Sequence, residues 1–325
     1  MLVAPWKSRS AADIGHPSAK RTTQPFYTDH RMNTARQLLP GVPWFDVPDP
    51  ASPDLDELAQ RFHLHELQIE DTRHRPQQAK VDEYGNYLFA VLKHLHPGDK
   101  PMFDDFDVFL GSNFLITVHQ GDAPLLAKLV QRVQENHVER LDRILYLLMD
   151  LIVDEYLTYL DNSAEDIAKI ETEVLERPEP QVLREIFRLK RRLIDFRRNA
   201  AGMRDVVNAI IRREGGLVGD DLDPYFRDIY DHLVRAVDLV EAHRDLLTGS
   251  LDIYLSAVAN RTNEVVKVLT IYGTLALPLV IITGFWGMNL HLPWSGNPHG
   301  VWYVSGLMAL SIVLVLLYFK GKRWF

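Results

Sequence analysis

Cysteine is absent from the 325-residue chain. That excludes a disulfide framework, a Cys-ligated zinc or iron–sulfur centre and a thiol nucleophile, and it fits a reducing compartment. The N-terminus MLVAPWKSRS lacks the apolar run of a secretory signal. Residues 1–36 mix Ser, Pro, Lys, Arg and Thr without a period and read as a loosely ordered lead-in; Asp13 and Asp29 argue against a transit peptide. No HExxH, P-loop or nucleophile elbow is present, so no catalytic constellation speaks for an enzyme. The most informative absence is local. From Val268 to Phe319 there is no Asp, Glu, Lys or Arg, although the chain has 44 acids and 36 Lys and Arg. The net charge of −8 therefore belongs to a water-facing portion. It argues against a nucleic-acid partner and favours a cationic one.

What fills the gap is apolar. Val268–Leu290 and Val301–Phe319 each supply the ~20 residues that a hydrocarbon core of ~30 Å requires. Two such runs flanking the turn 291–300 predict two membrane spans. Arg261 and Lys267 precede the first, the basic tail 320–325 with Lys320, Lys322 and Arg323 follows the second, and the connecting loop has neither Lys nor Arg. The positive-inside rule then puts both termini in the cytosol. Trp286, Trp294, Trp302 and Tyr303 mark the outer interface, and Tyr318, Phe319 and Trp324 the inner one. Two spans cannot enclose a polar path alone. A transport role requires several copies around an axis.

The cytosolic portion reads as an α/β domain over 37–122 followed by helices. VPWFDV, KVDEYGNYLFAVLKHLH, DVFLG and NFLITVH are strand-like runs broken by Gly85, Gly98 and Gly111, and Ser52 caps a helix. Over 123–216 the pattern predicts long antiparallel helices, the first ending at Arg177-Pro178-Glu179-Pro180 and the second at Gly215-Gly216. The second is rich in Arg and Lys interleaved with Leu, Ile and Phe, a solvated helix face rather than a nucleic-acid surface. A third helix opens at Asp223-Pro224. Phe226, Ile229, Leu233, Val237, Val240, Leu247, Leu251, Tyr254 and Val258 recur along it, and no breaker intervenes before the first span. A continuous helix over 223–290 would be on the order of 100 Å long, a stalk running from cytosol into membrane.

The motif FWGMNL at the end of the first span, with TNEVVKVLT and PLVIITG before it, resembles the Gly-Met-Asn signature of CorA-type magnesium transporters. The likeness extends through YFRDIYDH, DLLTGSLDIYLS and EVLERPEP back to ELQIEDTRHRPQQAKVDEYGNYLFAVLK. It implies an α+β fold: an N-terminal α/β cytosolic domain, a long helical stalk and two C-terminal transmembrane helices, assembled as a funnel-shaped homopentamer in the bacterial inner membrane. It also implies passive uptake of Mg²⁺, with Co²⁺ or Ni²⁺ accepted, and no organic cofactor.

By the same resemblance Gly287, Met288 and Asn289 form the selectivity filter, and Asn263, Val266, Leu269, Gly273, Leu277, Val280 and Gly284 line the pore. A ring of Asn289 oxygens suits the hydration shell of Mg²⁺, which sheds water reluctantly. Val266, Leu269 and Leu277 are apolar constrictions able to gate by excluding water; ordinary helix packing accounts for them equally well. Asp228 matches a regulatory position that shares Mg²⁺ with a neighbour's acid, here Asp99, Asp104 or Asp105. The outer loop LHLPWSGNPHG carries His291 and His299 where relatives often carry acids. This leaves a softer ion open, and with it a proton-coupled zinc transporter of the same superfamily. The pairs His63/His65 and His94/His96 could also bind metal, although scattered surface histidines explain them more simply.

Overall fold

A computed structural model describes residues 36–96, 102–121, 123–213, 216–288 and 296–322. Six strands form one sheet: β1 (Arg36–Leu39), β2 (Val42–Val47), β3 (Lys80–Tyr84), β4 (Tyr87–Leu95), β5 (Phe103–Gly111) and β6 (Leu115–Val118). Their spatial order is β1-β2-β6-β5-β4-β3, antiparallel except for the β2–β6 pair. The hairpins at the two edges turn at Gly41 and Gly85, with φ of +84° and +57°, where a residue without Cβ has no steric penalty. β4 is buried along nearly its whole length, so its sequence reads as a continuous apolar run rather than an alternation. One face packs on α1 (Pro53–Phe62) and α2 (Glu66–Arg73), where Leu55, Leu58 and Ile69 meet Phe89, Phe109 and Phe114. The other packs on α3 (Pro124–Glu135), α4 (Leu141–Glu176) and α5 (Pro180–Ile211), with Leu88, Leu92 and Phe106 in the same core as Leu129, Ile144, Tyr156 and Phe196.

The predicted cap is present: Ser52 Oγ accepts from the Asp54 amide at 3.2 Å at the start of α1. β1 has no apolar pattern to announce it and is held by pairing with β2. β5 begins at Phe103, ahead of the DVFLG run. Asp104 and Asp105 are therefore strand residues, opposite His94 and Lys93. Buried charges are paired beneath this strand, as the cost of isolating them requires. Lys93 Nζ pairs with Asp105. The Arg75 guanidinium donates to the Thr72, Asp105 and Val118 carbonyls and, at 2.6 Å, to Asp107 Oδ2. Burial still pushes the Asp107 carboxyl up to about 7 against the pull of Arg75.

α6 (Asp223–Trp286) is one helix of 64 residues, on the order of 100 Å at 1.5 Å per residue. Its lower part packs on α4 and α5 through Phe226, Ile229, Leu233, Ala236, Val240, His243, Leu247, Ser250 and Tyr254. The steps alternate between three and four, the spacing of helices that wind gently around one another. The predicted stripe differs at three places: Val237 and Leu251 are half-buried and Val258 is exposed. Ala236, His243 and Ser250 occupy the seam instead. Small residues let neighbouring helices approach closely, and the Ser250 hydroxyl is satisfied by the Leu246 carbonyl at 2.8 Å. Beyond Tyr254 none of the described residues of α6 is buried by its own chain. α7 (Gly300–Gly321) then packs alongside α6. Both helices are long and apolar enough to cross a membrane.

His94 gives this fold an acid limit. It is buried edge-on to Phe106, and burial lowers its pKa from 6.5 to about 4, with Asp104 only partly opposing. The fold thus favours the neutral ring. Stability from this group is complete above about pH 6.5 and is lost as pH falls toward 4, at about 1.4 kcal/mol per pH unit. A His94→Phe protein in detergent should lose less thermal stability between about pH 7.5 and 5 than the parent chain. Equal losses would exclude this role.

Candidate functional site

The membrane part of α6 has distinguishable faces. Lys267, Ile271, Thr274, Pro278, Ile282 and Trp286 are half-buried and recur in steps of three and four. α7 shows a matching stripe at Val304, Met308, Ile312, Val315 and Phe319. These two stripes are the faces that the packed pair turns toward one another. Asn263, Val266, Leu269, Gly273, Leu277, Val280 and Gly284 are all exposed, Leu269 at 71% and Val280 at 64%. The seven positions lie on the side of α6 that its own chain leaves uncovered. Pro278 sits inside the helix without ending it, as neighbouring structure permits in membrane helices.

At its C-terminal end Gly287 caps α6 with φ −81° and donates to the Thr283 carbonyl at 2.9 Å. That backbone conformation is open to any residue. The constraint on Gly287 is space, since a Cβ would stand 3.0 Å from the Thr283 oxygen. Met288 donates its amide to the Phe285 carbonyl at 3.4 Å, and its side chain is half exposed. Asn289 lies outside the described residues, as do His291, Trp294, Arg323, Trp324 and Asp99.

The regulatory candidates separate clearly. Asp105 is buried, pairs with Lys93 and accepts from the Gln77 amide at 2.7 Å. A cation there would have to displace Lys93, so Asp105 is not an available ligand. Its acidity was legible in the sequence, but its inward direction was not. Asp104 is partly exposed and its Oδ2 lies 2.5 Å from His96 Nδ1. Asp228 is exposed on α6, 4.0 Å from His232 Nδ1. Nearby, Tyr146 of α4 packs on Tyr225 and Phe226 of α6. Burial raises the Tyr146 hydroxyl, with Asp150 and Asp228 both adding to it. Burial likewise raises the Asp150 carboxyl, Asp154 and Asp228 raise it further, and Arg132 opposes at 2.8 Å.

The fold thus brings Asp150, on α4, into the electrostatic reach of Asp228, a partner the sequence reading missed. The available signal was an acid placed inside the apolar run LLMDLIVD. Among the described residues of one chain, no group of three or more His, Asp and Glu could hold a metal ion. The histidine pairs have other tasks. His63 ends α1 with φ 55°, His65 Nδ1 accepts from the Leu67 amide at 3.2 Å to open α2, and His94 is a core residue.

This architecture matches known proteins over most of its length. The family model "CorA-like Mg2+ transporter protein" matches residues 41–323. The cobalt/magnesium transport protein CorA of Thermotoga maritima is 34% identical over 279 residues, 83% of this chain and 79% of that one. The complete structure of the CorA magnesium transporter from Methanocaldococcus jannaschii superposes with a TM-score of 0.77 at 24% identity, covering 87% of this chain and 91% of that chain. The cytoplasmic domain of ZntB from Vibrio parahaemolyticus shares the fold more distantly, with a TM-score of 0.59 at 12% identity, over 67% of this chain and 88% of that one. The α/β domain, the helix continuous into the first of two apolar helices and the second apolar helix all lie within or overlap the matched residues 41–323: the chain belongs to the CorA-like family of divalent cation transporters.

Proposed function

We propose that the chain is a passive Mg²⁺ uptake channel of the bacterial inner membrane, also admitting Co²⁺ or Ni²⁺, built as a homopentamer with both termini in the cytosol. One observation carries this reading. All seven candidate lining positions fall on the α6 face that neither α7 nor the cytosolic helices cover. A lone helix pair would leave the part of that face from Leu269 to Gly284 against lipid and enclose no polar path. Around an axis, the same face encloses a path with Asn263 at its cytosolic end and Asn289 at its outer end. Neutral amide oxygens suit the water shell of a small, tightly hydrated cation. Val266, Leu269 and Leu277 narrow the path with apolar rings that open or dewet together. The chain is a transporter and not an enzyme in this reading.

Intracellular Mg²⁺ closes the path. Asp228 and Asp150 supply carboxylates from one copy, and Asp99 or Asp104 supplies the acid of the neighbour's α/β domain. With a cation bound, the carboxylates are bridged; without it, they repel and the funnel loosens.

Flux into liposomes at clamped potential tests the transport reading. Mg²⁺ should enter with voltage alone, and Asn289→Ala should reduce that entry by roughly tenfold or more. Zn²⁺ entry that requires a pH gradient, with Mg²⁺ excluded, would instead establish proton-coupled zinc carriage. For the sensor, Asp228→Ala and Asp150→Asn should each leave uptake high when internal Mg²⁺ is raised. Because burial raises the Asp150 carboxyl, mild acidification should weaken inhibition by Mg²⁺ in the parent and less so in Asp150→Asn. Intact feedback in both variants would refute the proposed sensor.

A further inference from the structure

A ring of identical copies joins one flank of each subunit to a different flank of the next. We propose that part of this contact, resting on the ring assembly proposed above, is the outer face of α5 of one copy docked on the free flank of α4 of the next. The two helices carry opposite charge. Arg143 and Lys169 are the only cations of α4, which is otherwise acidic, whereas the only acids of the basic α5 are Glu185, Asp195 and Asp205.

On α5, Arg184, Phe187, Arg191, Ile194 and Arg198 are exposed and follow steps of three and four on the side opposite the buried Leu189, Leu193 and Phe196. Phe187 is 44% and Ile194 49% exposed. Aromatic and aliphatic side chains set among arginines have the composition of an interface core. The α5 cations that face α6 are already engaged: Lys190 donates to Thr248 at 2.9 Å and Arg197 pairs with Glu241.

On α4, Asp166, Ile170 and Glu173 line the groove against Glu185, Arg188 and Arg192 of the same chain. The flank pointing away from that groove, bordering α6, carries the exposed Ala164 and Ala168, the half-buried Glu171 and the exposed Asp161, whose charge also reaches the buried His243 of α6. The registry of α4 and α5 is fixed by the stacked rings of Tyr159 and Phe196, 5.3 Å apart. Counting outward from that pair along both helices, Arg184 is level with Glu171, Phe187 with Ala168 and Arg191 with Ala164 beside Glu165. Rotation about an axis along the stalk preserves these levels between copies. Across the interface Arg184 then meets Glu171, Arg191 comes beside Glu165, and the bulky Phe187 ring meets the small Ala168.

The cysteine-free chain allows a direct test. Ala168→Cys and Phe187→Cys are placed in two differently tagged full-length copies, co-expressed and purified in detergent. A short bis-maleimide should yield a mixed dimer that neither variant forms alone. Arg184→Glu should lower the yield severalfold, and Glu171→Arg on the other copy should restore it. A ring mass by light scattering without mixed dimer overturns the contact and leaves the ring standing; a monomeric mass overturns both. Protection of the Phe187→Cys thiol only by anionic vesicles, with no mixed dimer, would assign the stripe to lipid headgroups instead.

Discussion

The structure depends on one unbroken helix changing its packing partner along its length. Below Tyr254, α6 is held by α4 and α5 through an alternating three- and four-residue seam. Above it, among the described elements, α7 lies at its side. Burying side chains such as Phe226, Ile229, Leu233 and Leu247 contributes about 1.5–3 kcal/mol each, which makes the lower part a stiff handle. The upper part keeps an uncovered face that only further copies or lipid can meet. One continuous helix thus runs from the Asp228 level beside α4 to the Gly287 end.

Electrostatics divide the molecule along the same line. Buried charges inside the α/β domain are paired within the chain, Lys93 with Asp105 and Arg75 with Asp107 through one of its two carboxylate oxygens. Those pairs hold the domain's shape and do not offer ligands. Asp228 and Asp154 remain exposed, with the half-buried Asp150 beside them, at the level where α4 meets α6. The distinction between structural and available acids comes from burial and pairing, not from residue type.

Much of this was legible in the sequence because its causes are local. The charge-free stretch between Val268 and Phe319 pointed to two apolar helices, which the structure leaves largely uncovered by their own chain, and the absence of a breaker after Asp223-Pro224 predicted the helix that the structure shows as Asp223–Trp286. What was not legible depends on tertiary approach. The seam admits Ala236, His243 and Ser250 because of how closely α4 and α5 come, and hydrophobicity alone favoured Val237, Leu251 and Val258. β1 exists through its pairing with β2. Asp105 looked like Asp104 until the strand's alternation sent it inward. Asp150 became a candidate only when the fold set α4 beside α6.

The central claim is that the uncovered face of α6 lines a cation path. Single cysteines introduced along residues 263–286 of this cysteine-free chain, reconstituted in liposomes and exposed to Cd²⁺ during flux, test it most directly. The account expects block at Val266, Gly273, Leu277, Val280 and Gly284 and little effect at Ile271, Thr274, Pro278 and Ile282. Block without helical periodicity, or strongest at the α7-facing positions, would contradict it.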